Sequence, residues 1–431
     1  MESERGQILI EIVVTVGLLT ILFHAVFTLI NAAFQSLGDS QARQTARHIA
    51  QSKIEEIKNL PYDEIGTQGG IPAGNLVQTE TVNQNGLDSL IRTSIVFVDD
   101  PFDDFSPADL LPTDYKRVRV EVSWSGLFSS NRPAVLVTDI APPGMEEPVA
   151  GGTIEIAVFD AQVEPVAEAE VKITNDAVSP AIDLDLRTNQ EGKILLPGAP
   201  ACSSCYFIEA TKDGYTTDRT YSTDEVVNPA KGYLTVEVGK VAETSLKIDK
   251  VSTLNFYSSE PGVAFHLTSS KVIGTDAEEN KIYKLDEGFT VDENGELVLE
   301  DFEWATYEFD IVGQEYDIAG TNPFTPINLE PDSEMDFQFL LAGHEENSLL
   351  VRITDIDDQP IASASARLFD GGDYDEATAS GQLDEPDYGQ VFFSPLEAKD
   401  YQLEVEAEDY QPETRTAPVD GWTIEEVILE Q

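Results

Sequence analysis

Two cysteines, four histidines, several acidic clusters and one glutamate in an apolar run are the reactive groups this sequence offers. Cys202-Ser203-Ser204-Cys205 has the spacing of a redox pair or of half a zinc site. Zinc takes two further sulfur or nitrogen ligands, and none stands nearby. A redox pair belongs at the start of a helix in a βαβ setting, whereas this one follows Pro197-Gly198-Ala199-Pro200 and precedes Tyr206-Phe207-Ile208. The reading that fits is a local disulfide that closes a loop outside the cytoplasm, with free thiols as the alternative. His24, His48, His266 and His344 are scattered without a partner at ligand or triad spacing, and each reads as structural. Asp99-Asp100 with Asp103-Asp104, Asp355-x-Asp357-Asp358 and Asp373-x-Asp375-Glu376 offer the oxygens that calcium takes, but none has the EF-hand spacing. With 80 acids in the chain they read as solvated turns, so neither a metal nor another cofactor is expected. There is no Gly-rich phosphate loop, serine-nucleophile motif or basic aromatic patch. The sequence therefore points away from an enzyme.

The remaining candidate is Glu11. It stands in a run from Ile8 to Phe34 that is otherwise almost wholly apolar, long enough for a helix to cross ~30 Å of hydrocarbon, which takes roughly 20 residues. A charge at that depth costs at least ~2.5 kcal/mol, so Glu11 needs a partner. Past the run, Ala42, Ala46, Ile49, Ala50, Ile54 and Ile57 keep the three-and-four spacing of an amphipathic helix. Pro61, then Gly66, Gly69 and Gly70, end it. Residues 7–60 as one helix would be on the order of 80 Å long, and the half beyond the bilayer must lie on something.

The segment Gly6-Gln7-Ile8-Leu9-Ile10-Glu11 resembles the type IV prepilin processing signal, a glycine before the cut and a glutamate as the fifth residue after it. The stretches Ile54-Glu55-x-Ile57-Lys58-x-Leu60-Pro61-Tyr62-Asp63 and Asp114-Tyr115-Lys116-Arg117-Val118-x-Val120-x-Val122-Ser123-Trp124 are similar to minor pilins of the PilV kind, and the resemblance covers roughly residues 5–143. It implies that a membrane-embedded prepilin peptidase cuts after Gly6 and that Gln7 becomes an N-methylated N-terminus. It also implies that Glu11 pairs with the terminal amine of a neighbouring subunit during assembly. On this reading residues 1–6 are a leader, 7–60 a transmembrane and assembly helix, and 61–143 a β head that carries the helix. The partners are the peptidase, other pilin or pseudopilin subunits, and a membrane met through residues 8–34. A cleaved secretory signal fits poorly, because the leader Met1-Glu2-Ser3-Glu4-Arg5 is acidic and the apolar run too long. A plain signal-anchor leaves Glu11 without a role.

Charge separates the stem from the rest. The chain has 26 basic and 80 acidic residues and a formal charge of −54, nearly all of it after residue 60, which disfavours nucleic acid as a ligand of the body. Alternating segments at 76–82, 90–98, 115–124 and 132–140 predict an antiparallel set of about four strands. A Pro-rich linker follows at 141–148. Beyond it the chain repeats loosely. Thr153–Asp160 parallels Ser348–Asp355, and Gly192-Lys193-Ile194-Leu195-Leu196 is echoed by Gly295-Glu296-Leu297-Val298-Leu299 and Gly389-Gln390-Val391-Phe392-Phe393. The pattern predicts β-sandwich modules at 150–243, 244–342 (degenerate) and 345–431, and it resembles the carboxypeptidase regulatory-like, transthyretin-like sandwich. The expected fold is α+β followed by all-β: a long helix on a small antiparallel pilin head, then about three tandem sandwiches. The expected function is that of a minor type IV pilin-like subunit in the cytoplasmic membrane and at the cell surface. It would start, cap or join a filament and display the sandwiches for adhesion or partner binding. A type II secretion pseudopilin and a non-polymerising signal-anchored surface protein are the alternatives.

Overall fold

The computed structural model describes residues 3–84, 86–99, 113–125, 133–144 and 151–431; the side chains of residues 3–16, 18, 20 and 21 are outside that description. Asp100, Asp103 and Asp104 are likewise outside it. A single long helix, α1 (Ser3–Lys58), opens the chain. It ends because Pro61 cannot continue the ladder, and the Asn59 side-chain amide donates 2.7 Å to the Glu55 carbonyl there.

The C-terminal half of α1 lies on a four-stranded antiparallel meander, β1 (Thr79–Gln84), β2 (Leu87–Val98), β3 (Tyr115–Trp124) and β4 (Ala134–Ile140), in sequence order. Ile91 faces Val122 and Ile95 faces Val118 across the β2–β3 register, so one face of both strands is apolar. Against it pack Ala42, Ala46, Ile49, Ala50, Ile54 and Ile57. Ala46 and Ala50 have no exposed surface, and their small side chains bring the helix backbone close to the sheet. Lys53 fastens the seam through an ion pair of 2.7 Å to Glu80 on β1.

The expectation of an α+β chain with a small pilin head at its front is corrected. Apart from α1 and one short 3-10 turn, the regular structure of the described residues is all strand, divided among eight small sheets, and no small head sheet stands apart. The meander under α1 is joined to the strands that follow. Ile71 and Phe97 pack into the core of β5 (Gly152–Phe159), β6 (Glu170–Asn175), β7 (Ile182–Arg187), β8 (Lys193–Ala199) and β9 (Cys202–Thr211). Arg119 bonds Glu168 at 3.1 Å, and Arg187 approaches Glu121 at 3.5 Å. The Asp183 amide donates to the Gly69 carbonyl at 2.8 Å. Charged residues that alternate outward on a strand read as facing water, whereas here several face another sheet.

Three apolar cores follow one another, each shared by two sheets: one within 154–248, one within 254–341, one within 349–429. The middle core is built on Phe256, Phe265, Phe309, Phe337 and Phe339, with ring centres 4.6–6.4 Å apart. In all three the first strand pairs in parallel with the last: Gly152–Phe159 with Val241–Lys247, Ser252–Ser258 with Glu334–Gly343, Ser348–Thr354 with Trp422–Ile428. A parallel first-to-last pair puts entry and exit at opposite ends of each unit. One turn also recurs. Gly192, Gly295 and Gly389 have φ of +68°, +81° and +65°, and their carbonyls accept from Val158, Ser258 and Ile353 at 2.8 Å. Only glycine takes that backbone without penalty.

Candidate functional site

The N-terminal half of α1 projects without cover. Leu19, Leu22, Phe23, Val26, Phe27, Leu29, Ile30, Phe34 and Leu37 are all exposed, Phe23 to 68% and Leu29 to 73%. Full burial of an exposed side chain of this kind is worth about 1.5–3 kcal/mol, of which each would gain the share its exposure leaves, and an apolar patch of this size marks an interaction surface. The stripe has a direction. At about 100° per residue these side chains cover roughly half the circumference. The opposite side carries His24, Thr28, Asn31 and Gln35, in line with Ala42, Ala46 and Ile49 farther along. From residue 22 on, the face that continues toward the chain's own sheet is thus polar or small, and the large apolar side chains are on the other side. The apolar run is two-sided rather than uniform there, and a helical plot of residues 22–37 contains the signal.

Gly6, Gln7 and Glu11 lie on α1, and their side chains are outside the described residues. Among the described residues no helix is long and apolar enough to cross a membrane; the side chains of most of the stretch 8–18 lie outside the description.

The body end of the stem is held by a buried cation. The Lys116 ammonium donates to the carbonyls of Tyr62 and Ile65 at 2.8 and 2.7 Å, and stands 4.4 Å from the Tyr62 ring centre. It thereby pins the turn after α1 to β3. Burial pushes Lys116 down to about 8 and the Tyr62 phenol up to about 12. For Lys53 burial lowers the pKa, but the bonds to Glu80 and Glu56 more than reverse this and leave it raised.

The other candidate residues are dispersed. Cys202 and Cys205 form a disulfide at the start of β9, with Cα atoms 6.0 Å apart. His266 and His344 each meet a carboxylate at 2.7 Å, Asp286 and Asp317. The Ser348 hydroxyl also bonds Asp317, at 3.0 Å; the carboxylate is in the middle, so this is not the serine-to-histidine bond of a nucleophile. Asp355 spends one oxygen on the amides of Asp357 and Gln359, both at 2.9 Å, and Asp375 pairs with Arg367. Both clusters thus serve turn and sheet, and among the described residues none of His, Cys, Asp and Glu group as a metal site.

No family model matches the sequence, and no curated protein matches it. Among solved structures the chain is similar to the Bacillus anthracis TIE protein (14% identity, 83% of this chain and 73% of that one, TM-score 0.19). It is also similar to the minor pilin GBS52 of Streptococcus agalactiae (11%, 44% and 96%, TM-score 0.20) and to the shaft pilin spaA of Lactobacillus rhamnosus GG (14%, 45% and 98%, TM-score 0.18). The likeness is one of β-rich chains and, at these TM-scores, does not extend to the arrangement of the whole.

Proposed function

We propose that this chain is a minor type IV pilin-like subunit. Its apolar stem is inserted in the cytoplasmic membrane, its leader is removed by a prepilin peptidase after Gly6, and the body stands outside the cytoplasm. The observation that carries the reading is the exposed stripe from Leu19 to Leu37, turned away from the chain's own sheet. Such a surface calls for lipid before assembly and for neighbouring stems after it. Glu11 then meets the terminal amine of the adjoining subunit, which offsets the cost of two charges at membrane depth. Three units with entry and exit at opposite ends extend the chain outward, which suits a low-copy subunit at a filament tip that displays strands for adhesion or partner contact. The Cys202–Cys205 disulfide fits an oxidising location.

The test is a Glu11→Ala variant assayed for incorporation into extracellular fibres. Expected is a folded body that stays with the membrane and is absent from sheared fibres. Incorporation at the wild-type level would sink the assembly role of Glu11.

A further inference from the structure

A cleft between the first and second double sheets gathers positive charge in a chain that has little. Its volume is about 640 Å³, inside the ~300–1,000 Å³ range of ligand pockets. Five of the 26 basic residues line it, Arg219, Lys231, Lys247, Lys271 and Lys284, against the three acids Asp218, Glu303 and Glu330. The chain as a whole has three acids for each base, so this local excess of cations reverses the general balance.

The five are not equivalent. Arg219 grips Glu225, and Lys231 pairs with Asp218. Lys271 and Lys284 donate to the same oxygen of Glu303, at 2.7 and 2.8 Å, so one carboxylate sits between two ammoniums. Lys247 has no carboxylate within ion-pair distance among the described residues. Its ammonium stands 5.0 Å from the ring centre of Trp304, and that of Lys271 stands 3.4 Å from the same ring. The Trp304 indole N–H is itself buried without an acceptor. A buried donor left unmet is costly, and two ammoniums stand over the same indole. Burial pushes Lys271 down to about 8 despite Glu303, with Lys284 and Lys247 adding to the effect.

We propose that this cleft binds a small anionic group, carboxylate or phosphate, seated on the Lys247 ammonium where it stands over the Trp304 ring. The one guanidinium fork in the cleft is already engaged by Glu225, so the ligand meets lysine point charges, which take carboxylate and phosphate alike. The body's negative charge does not forbid an anion, since at a screening length of ~8 Å in physiological salt the nearest charges dominate.

The experiment is calorimetric titration of the full chain in detergent with tricarballylate, a hexa-aspartate peptide and inorganic phosphate. Expected is one site for at least one of the three anions, weakened about tenfold or more by Lys247→Met and unchanged by Lys193→Met elsewhere. Binding of tricarballylate assigns a small free acid, binding of phosphate a phosphoryl group, and binding of the peptide alone an acidic segment of a partner. The proposal is overturned if none of the three binds or if a folded Lys247→Met variant binds unchanged. The wild-type titration decides by itself should that variant fail to fold.

Discussion

Lys116 gives the sharpest test of how the stem is held. Its side chain is 3% exposed and its ammonium bonds two carbonyls of the turn that ends α1. Burial lowers its pKa from 10.5 to about 8, and that gap corresponds to about 3 kcal/mol. The sign follows from linkage. Between about 8 and 10.5 the unfolded chain binds the proton that the folded chain has released, so stability rises with pH across that window. Below about 8 both states carry the proton and the full cost is present. Lys116→Met removes the titrating group. At neutral pH its net effect is small, because the relieved burial cost is set against two carbonyls left without a donor, each about 1–3 kcal/mol. The difference that matters is the pH slope. The assay is denaturant unfolding followed by Trp124, which packs in the helix–sheet core, with Trp304 and Trp422 replaced by phenylalanine in both proteins. Wild type should gain up to about 3 kcal/mol over the variant between pH 8 and 10.5. A difference that stays flat across this window would refute the buried-ammonium clamp.

Other consequences are more local. Ala46→Leu overfills a position with no exposed surface and should cost about 1–3 kcal/mol, read as earlier unfolding by Trp124, with the last double sheet unaffected. Gly389→Ala places a Cβ 2.5 Å from Pro360 at a φ of +65°; this should cost more than about 1 kcal/mol and lower the melting of the third unit selectively. Gly371→Ala, with open space around it although φ is +76°, should cost less by the same measurement.

The parts of this chain that sequence made legible are those set by short-range periodicity. The spacing of Ala42, Ala46, Ile49, Ala50, Ile54 and Ile57 marked the residues that α1 buries. The recurrence of Gly192, Gly295 and Gly389 marked one turn made three times. What stayed hidden depends on contacts far apart in sequence. Arg119 and Arg187 alternate outward on their strands, yet their carboxylate partners are Glu168, in the turn before β6, and Glu121, on β3, so the meander under α1 is not a separate head. Lys247, Lys271, Lys284 and Trp304 lie up to 57 residues apart and belong to different strands and loops; nothing local announces their cleft. The direction of the Leu19–Leu37 stripe was present in the sequence but gains meaning only once the buried side of α1 is known.

On the proposed function the greasy stem becomes an assembly element once its leader is gone. Mass spectrometry of the N-terminal peptide of the native protein, recovered from sheared surface fibres and from membranes, decides the matter. Expected in the fibre fraction is a chain that begins at Gln7 with a methylated amine. Recovery of the protein only in membranes, with Met1 to Gly6 intact, would refute the proposal.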